Sequence, residues 1–350
     1  MRTKILGSVL VVLTVLGGLQ LFQNMTSNSR FGDSELVEVN FEEGDLQSII
    51  SKVRSTLENV DNERSEQGEV MIEKSFNVNK GDDLVIAIEH SDVDIETGGG
   101  SEATITVTLD SRNSDRARAR FEEMEWKVYQ EGGTVHVEAE SPRRNWSFNV
   151  NMDIHVLITI PSTFNLDLQT SHGDVNLGDI DGKVNLLTSH GDVSFEGIEG
   201  DLVWIRSSHG DISGVSLRSD RVEVETSHAD IEIAEIDAKS LNASTSHADI
   251  EIEHLIGAAD LTTSHGNIRV FLAGDEDASL STSHGNIDIS MDANSGADLD
   301  FKAPQIHMDR DLNVRVKGES RNKSVSESIN GGGRTIQART THGSIEMSNR

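Results

Sequence analysis

Histidine recurs at His172, His190, His209, His228, His247, His265 and His284, in steps of 18 or 19 residues and always inside one six-residue word. In its first copy the word runs Thr170-Ser171-His172-Gly173-Asp174-Val175. Ala229 and Ala248 replace the glycine in two copies, and Asn267 and Asn286 replace the aspartate in the last two. A fixed period of this length confines a chain to repeat architectures, in which each unit buries its apolar face only against the next. Apolar residues keep register with the histidine. Six and four positions before it stand pairs such as Leu166/Leu168, Val184/Leu186, Val203/Ile205 and Val222/Val224. Three after it stand Val175, Val193, Ile212, Ile231, Ile250, Ile268 and Ile287. Five after come Leu177, Phe195, Ile233, Ile252, Val270 and Ile289, with Gly214 in the third copy. Alternation of period two, broken at corners, predicts strands and not helices. The predicted fold class is an all-β parallel β-solenoid with 18–19-residue coils, each giving two short strands and a brief third side. A β-sandwich of short strands is the structural rival.

The pattern reaches beyond the seven copies. His90 has Leu84 and Ile86 before it and Val93 and Ile95 after it; His342 has Ile336, Ala338, Ile345 and Met347 at the same offsets. Residues 71–165 therefore read as an atypical N-terminal β section with a helix inserted at 114–124. Residues 166–295 read as the regular repeats and 296–350 as a closing section, since a solenoid must cover its core and strand edges at both ends. Residues 31–70 read as a linker, in which Leu46, Ile49, Ile50, Val53, Leu57 and Val60 have helical spacing. At 1–30, Arg2 and Lys4 precede an apolar run over 5–22. That is a signal peptide or a membrane anchor, and the missing small-residue cleavage site favours the anchor, with Asn24 onward exported.

The quoted words resemble a bacterial family of putative-adhesin β-solenoid domains, a domain of unknown function whose signature is a repeated Thr-x-Ser-Gly-Asp-Ile. The resemblance spans residues 71–350, including Ile158-Thr159-Ile160-Pro161 and the closing Thr341-His342-Gly343-Ser344-Ile345. It implies an exported or membrane-associated domain used in structure or interaction, and it brings no catalytic residues. In one respect this chain departs from the family: histidine fills the slot where serine is usual.

Charge narrows the partners. The chain has 30 Lys and Arg against 60 Asp and Glu, a net charge of −30, so it lacks the clustered cations that nucleic-acid phosphates require. Zero cysteines exclude disulfides, thiolate nucleophiles and cysteine metal sites. The expected partners are an envelope or surface component and, through residues 1–30, the membrane.

Stacked coils would line the seven histidines into one column. Asp174, Asp192, Asp211, Asp230 and Asp249 would form a second, continued by Asn267 and Asn286. Two readings stay open. In one, the columns are a structural ladder in which corner Thr, Ser and Asp side chains satisfy backbone N–H groups. In the other they are a weak divalent-metal or proton site, helped by a local charge of −17 from 6 Lys and Arg against 23 Asp and Glu between His172 and Ile289. A column that points all its ligands one way argues against tight metal binding. Strict alternation would send the imidazoles inward, so a solvent-facing column requires the chain to turn just before the histidine. No cofactor and no catalysis are expected: no Ser, Thr or Lys is singled out from the copies as a nucleophile, and only 14 aromatics are available to stack sugars.

Overall fold

The computed structural model describes residues 50, 51, 53, 68–98, 100–111, 114–140, 152–319 and 322–349. The anchor or signal segment expected at 1–30 lies outside the described residues, as does most of the linker. No helix among the described residues is long and apolar enough to cross a membrane. Ile50, Ser51 and Val53 are helical, and Val53 is buried beside Ala234 and half-buried Val215.

The equal repeat length dictates the fold. Four central strands, Val193–Arg206, Ile212–Glu225, Ile231–Ser244 and Ile250–Thr262, pair in parallel. Ile212 faces Ile231 and Val222 faces Leu241, so residues one period apart stack directly. Short strands separated by corners occur in the first full coil, as Val175–Leu177, Ile180–Asp181 and Val184–Leu187. In the central coils, by contrast, one strand continues round the whole circuit and only the histidine word bends. Coils of equal length keep each N–H opposite a carbonyl all the way round, so pairing need not stop at the corners. The 18-residue step from His247 to His265 is absorbed at one place, where the register against the previous coil shifts between Asp237 and Ser240. Gly257 sits there with φ +124°, and a Cβ would lie 1.5 Å from the Ala238 carbonyl oxygen. Only glycine fits both the left-handed backbone and that approach.

The inward residues form continuous columns. Val193, Phe195, Ile198, Val203 and Ile205 of one coil are at most 2% exposed. Gly214, the exception in the apolar pattern, lies over Phe195, and a Cβ there would fall 2.0 Å from the ring. The large ring of one coil thus fills the space left by the missing side chain of the next, which keeps the column at interior density.

Both ends interleave. Asp83–Ala87 pairs with Asn165–Gln169 on one side and with Thr134–Glu140 on the other, so the His90 coil lies between strands that follow it in sequence. At the far end, Arg334–Thr340 lies between Ala278–Thr282 and Ala297–Ala303, which puts the His342 coil directly on the His284 coil. Beyond these coils the pairing turns antiparallel, through Glu125–Glu131 with Thr134–Glu140, Glu69–Asn77 with Glu102–Asp110, and Ala297–Ala303 with Lys323–Ile329. The helix Ser114–Glu122 packs Ala117 and Phe121 against the N-terminal section, with Phe121 stacked on Trp126 at 5.2 Å.

Candidate functional site

The corner at each histidine begins with a buried hydroxyl. Thr170, Thr188, Ser207, Thr226, Thr245, Thr263, Thr282 and Thr340 are all at most 6% exposed, whereas the histidine two residues on is exposed in every copy. In five copies the hydroxyl accepts the N–H three residues later: Thr188 from Gly191, Ser207 from Gly210, Thr263 from Gly266, Thr282 from Gly285 and Thr340 from Gly343, at 2.9–3.4 Å. It also donates to the coil before it, Thr282 to the Gly266 carbonyl and Thr340 to the Gly285 carbonyl, both at 2.9 Å. This local turn interrupts the alternation, so the threonine goes in and the imidazole goes out. The glycine that follows serves a close approach: a Cβ at Gly191, Gly210, Gly266 or Gly285 would lie 1.7–1.9 Å from a carbonyl oxygen of the preceding coil.

The imidazoles form the predicted column, and it is longer than seven. From His172 to His284 successive ring centroids are 4.5–5.0 Å apart with interplanar angles of 0–6°. His342 extends the stack beyond His284 at 4.5 Å and 2°, and His90 meets His172 edge-on at 4.7 Å and 88°. Their shared apolar offsets mark both as coil positions in the sequence, but the interleaved ends that bring them into the column do not follow from it. Nδ1 of His209, His247, His265, His284 and His342 lies 3.2–3.4 Å from a serine carbonyl one coil back (Ser189, Ser227, Ser246, Ser264 and Ser283). A carbonyl only accepts, so Nδ1 carries the proton there and the neutral ring leaves Nε2 free as an acceptor.

The aspartate column does different work. Oδ1 of Asp92 accepts the N–H of Asp174, and the same link repeats from Asp174 to Asp192, Asp211, Asp230, Asp249, Asn267, Asn286 and Ser344 at 2.7–3.0 Å. Each side chain thereby occupies the backbone donor that its corner leaves open, as the ladder reading expects. Asparagine serves as well as aspartate, since the ladder bond itself takes only Oδ1; Asn267 in addition donates its amide to Asp249 Oδ2 at 3.1 Å. Burial pushes the Asp230 carboxyl above its ordinary range; the Asp249 N–H opposes this, while Asp211, Asp249 and Glu232 add to it. Asp92 is raised likewise, first by burial, against the Asp174 N–H and His155. His172 is lowered by burial and then by His90 and His190, with Glu89 opposing.

Metal chemistry fits these columns poorly. The imidazole lone pair lies in the ring plane, and successive ring planes are parallel to within 6°, so adjacent lone pairs do not converge on a shared ion. Among the described residues no three His, Asp or Glu side chains gather at one point suited to a metal. The grooves at Ser216–Ile256 and Asp249–Asp288 are open to solvent.

A family model, Toastrack DUF4097, matches residues 82–348. Among solved structures, the chain is similar to a putative adhesin from Bacteroides fragilis NCTC 9343, with 13% identity, 81% of this chain and 98% of that one covered, and a TM-score of 0.40. It is also similar to a putative adhesin from Parabacteroides distasonis ATCC 8503, with 12% identity, 81% and 98% covered, and a TM-score of 0.44. A putative lipid binding protein from Parabacteroides distasonis ATCC 8503 shows 14% identity, 79% and 96% covered, and a TM-score of 0.41. No curated protein matches the chain.

Proposed function

The chain belongs to the Toastrack DUF4097 family, and from that premise we propose that it is an exported, envelope-associated interaction module of adhesin-like type, without catalysis, whose presented surface is the histidine corner. One observation carries this reading: the imidazoles are exposed, evenly spaced and held on hydrogen-bonded corners, whereas the aspartates beside them are consumed by the backbone ladder. A structural ladder needs the Thr and Asp columns; it does not need an outward row of imidazoles. Serine, with its hydroxyl, could end the same turn.

The test replaces the seven histidines of the regular repeats with serine and compares cells that display the parent or the variant chain. The proposal expects an unchanged circular dichroism spectrum together with loss of attachment to the envelope or surface partner. Unchanged attachment by the folded variant would overturn it.

A second reading, a metal- or pH-responsive binder using the same column, is favoured by the free Nε2 atoms. It predicts that zinc raises the melting temperature of the parent and leaves that of the serine variant where it was. Equal responses in the two chains would count against it.

A further inference from the structure

We propose that residues 46–60 cross one flank of the solenoid as a docked helix, a strap that belongs to the folded body and closes this face to outside partners. Its described foothold is Val53, 1% exposed beside Ala234 and Val215. Burial marks the rest of its path. Side chains that point outward from a coil ordinarily keep contact with water, and on the opposite flank they do. Five and three positions before each histidine, the outward residues from Asp167 to Ser281 are all at least partly exposed, small ones such as Ser244 and Ser279 included. On the Val53 flank a run of outward positions is at most 7% exposed: Asn176, Ser194 and Ser213, four after their histidines, then Ala234, Glu253 and Phe271, six after theirs. One buried position per coil, stepping two places along the strand halfway, traces an oblique line over six consecutive coils. A rod laid across the strands covers such a line, whereas a second sheet would bury whole columns.

Length, chain path and charge agree with this occupant. Six coils at steps of about 4.8 Å span about 24 Å. A helix over residues 46–60 rises about 21 Å. Its apolar residues Leu46, Ile50, Val53, Leu57 and Val60 return about once per 5.4 Å turn, so each turn meets about one coil. Ile50 and Ser51 are helical beside Val53. Direction follows from where the described chain resumes. Glu69 pairs with Leu109, and the sheet continues from that strand through Asp153–Pro161 to Asp92–Gly98, next to the Asn176 coil. The stretch after Val53 therefore runs toward Asn176, and Ile50, about one turn earlier, lies toward Glu253 and Phe271. Lys52 and Arg54 adjoin Val53 in the sequence, and Glu196, Glu232 and Glu253 stand on the flank within two coils of Ala234, so opposite charges meet where the helix docks.

Trypsin reads the strap directly, because Lys52 and Arg54 lie inside it and cleavage needs the local structure to open. The full-length chain in detergent is compared with Ala234→Arg, which fills the notch under Val53 and sets a cation against Lys52 and Arg54. The same outward column already holds Glu196 and Glu253, so the coil itself accepts a long side chain there, and melting curves establish that the variant is folded. Cleavage after Lys52 and Arg54 should be about tenfold or more slower in the parent than in the variant. Equal rates in the two folded chains overturn the proposal. Cysteine pairs read path and occupant with the notch intact. Ile50→Cys/Glu253→Cys and Leu57→Cys/Glu196→Cys should oxidise within one chain, while the crossed pairs Ile50→Cys/Glu196→Cys and Leu57→Cys/Glu253→Cys should keep their thiols. Matched and crossed pairs that oxidise alike overturn the path. Cross-links formed only between chains give the flank to a second copy and overturn the strap.

Discussion

Gly214 shows how one residue is chosen by its neighbour a period away. A Cβ there would overlap the Phe195 ring at 2.0 Å, and the backbone conformation itself would accept a side chain. Gly214→Val should therefore destabilise by about 1–3 kcal/mol through overpacking. Phe195→Leu alone opens a void, and the double variant Phe195→Leu/Gly214→Val should recover part of both losses, because the two positions share one space. Denaturant midpoints of the four chains measure the coupling; strictly additive losses would show that the ring and the glycine are independent. In the sequence Gly214 reads only as a gap in an apolar column. Its reason lies in the preceding coil, where Phe195 is the one aromatic at that offset.

The corner is the element in which stability meets pH. His172 has its pKa lowered in the folded chain, by burial and by the adjacent His90 and His190. Its contribution is therefore complete above the ordinary value near 6.5 and drains away as pH falls through that value toward the folded one. Neighbouring imidazolium ions 4.7 Å apart add a repulsion of about 0.9 kcal/mol even at the dielectric of water. Asp230 and Asp92 act with the opposite sign: their pKa values are raised by burial, so acidification through the raised values down to 3.8 relieves a cost. The melting temperature should fall by a few degrees from pH 7 to pH 5 and level off toward pH 4, and the seven-serine variant should lose the first slope. A parent that melts identically at pH 7 and pH 5 contradicts a stacked, solvent-facing column. Much of this corner was legible beforehand, since the period, the stacked columns and the role of Thr and Asp all follow from repetition. Which way the imidazole points was not. That depends on the bend of the histidine word, closed in five copies by the hydroxyl and the N–H three residues on, and alternation alone predicts the opposite.

At the scale of the whole molecule, the regular middle follows from its repeats and the ends do not. Equal coils specify their own neighbours, but the His90 and His342 coils are sandwiched by strands from other parts of the chain, and nothing periodic announces which strand returns to an open edge. The interleaving brings His342 onto His284 across 58 residues of sequence, at 4.5 Å. Everything functional here depends on residues one period apart being adjacent on an exposed corner, and the absence of native cysteines makes that directly measurable. A His209→Cys/His228→Cys chain places two thiols on neighbouring coils where the rings stand 4.7 Å apart, and the spacing of paired strands, about 4.8 Å, falls inside the Cα separation of about 4.4–6.8 Å that a disulfide spans. Under mild oxidation, mass spectrometry of the intact chain should show near-complete loss of two hydrogens within a single chain. Persistent free thiols, or cross-links formed only between chains, would contradict the stacked column.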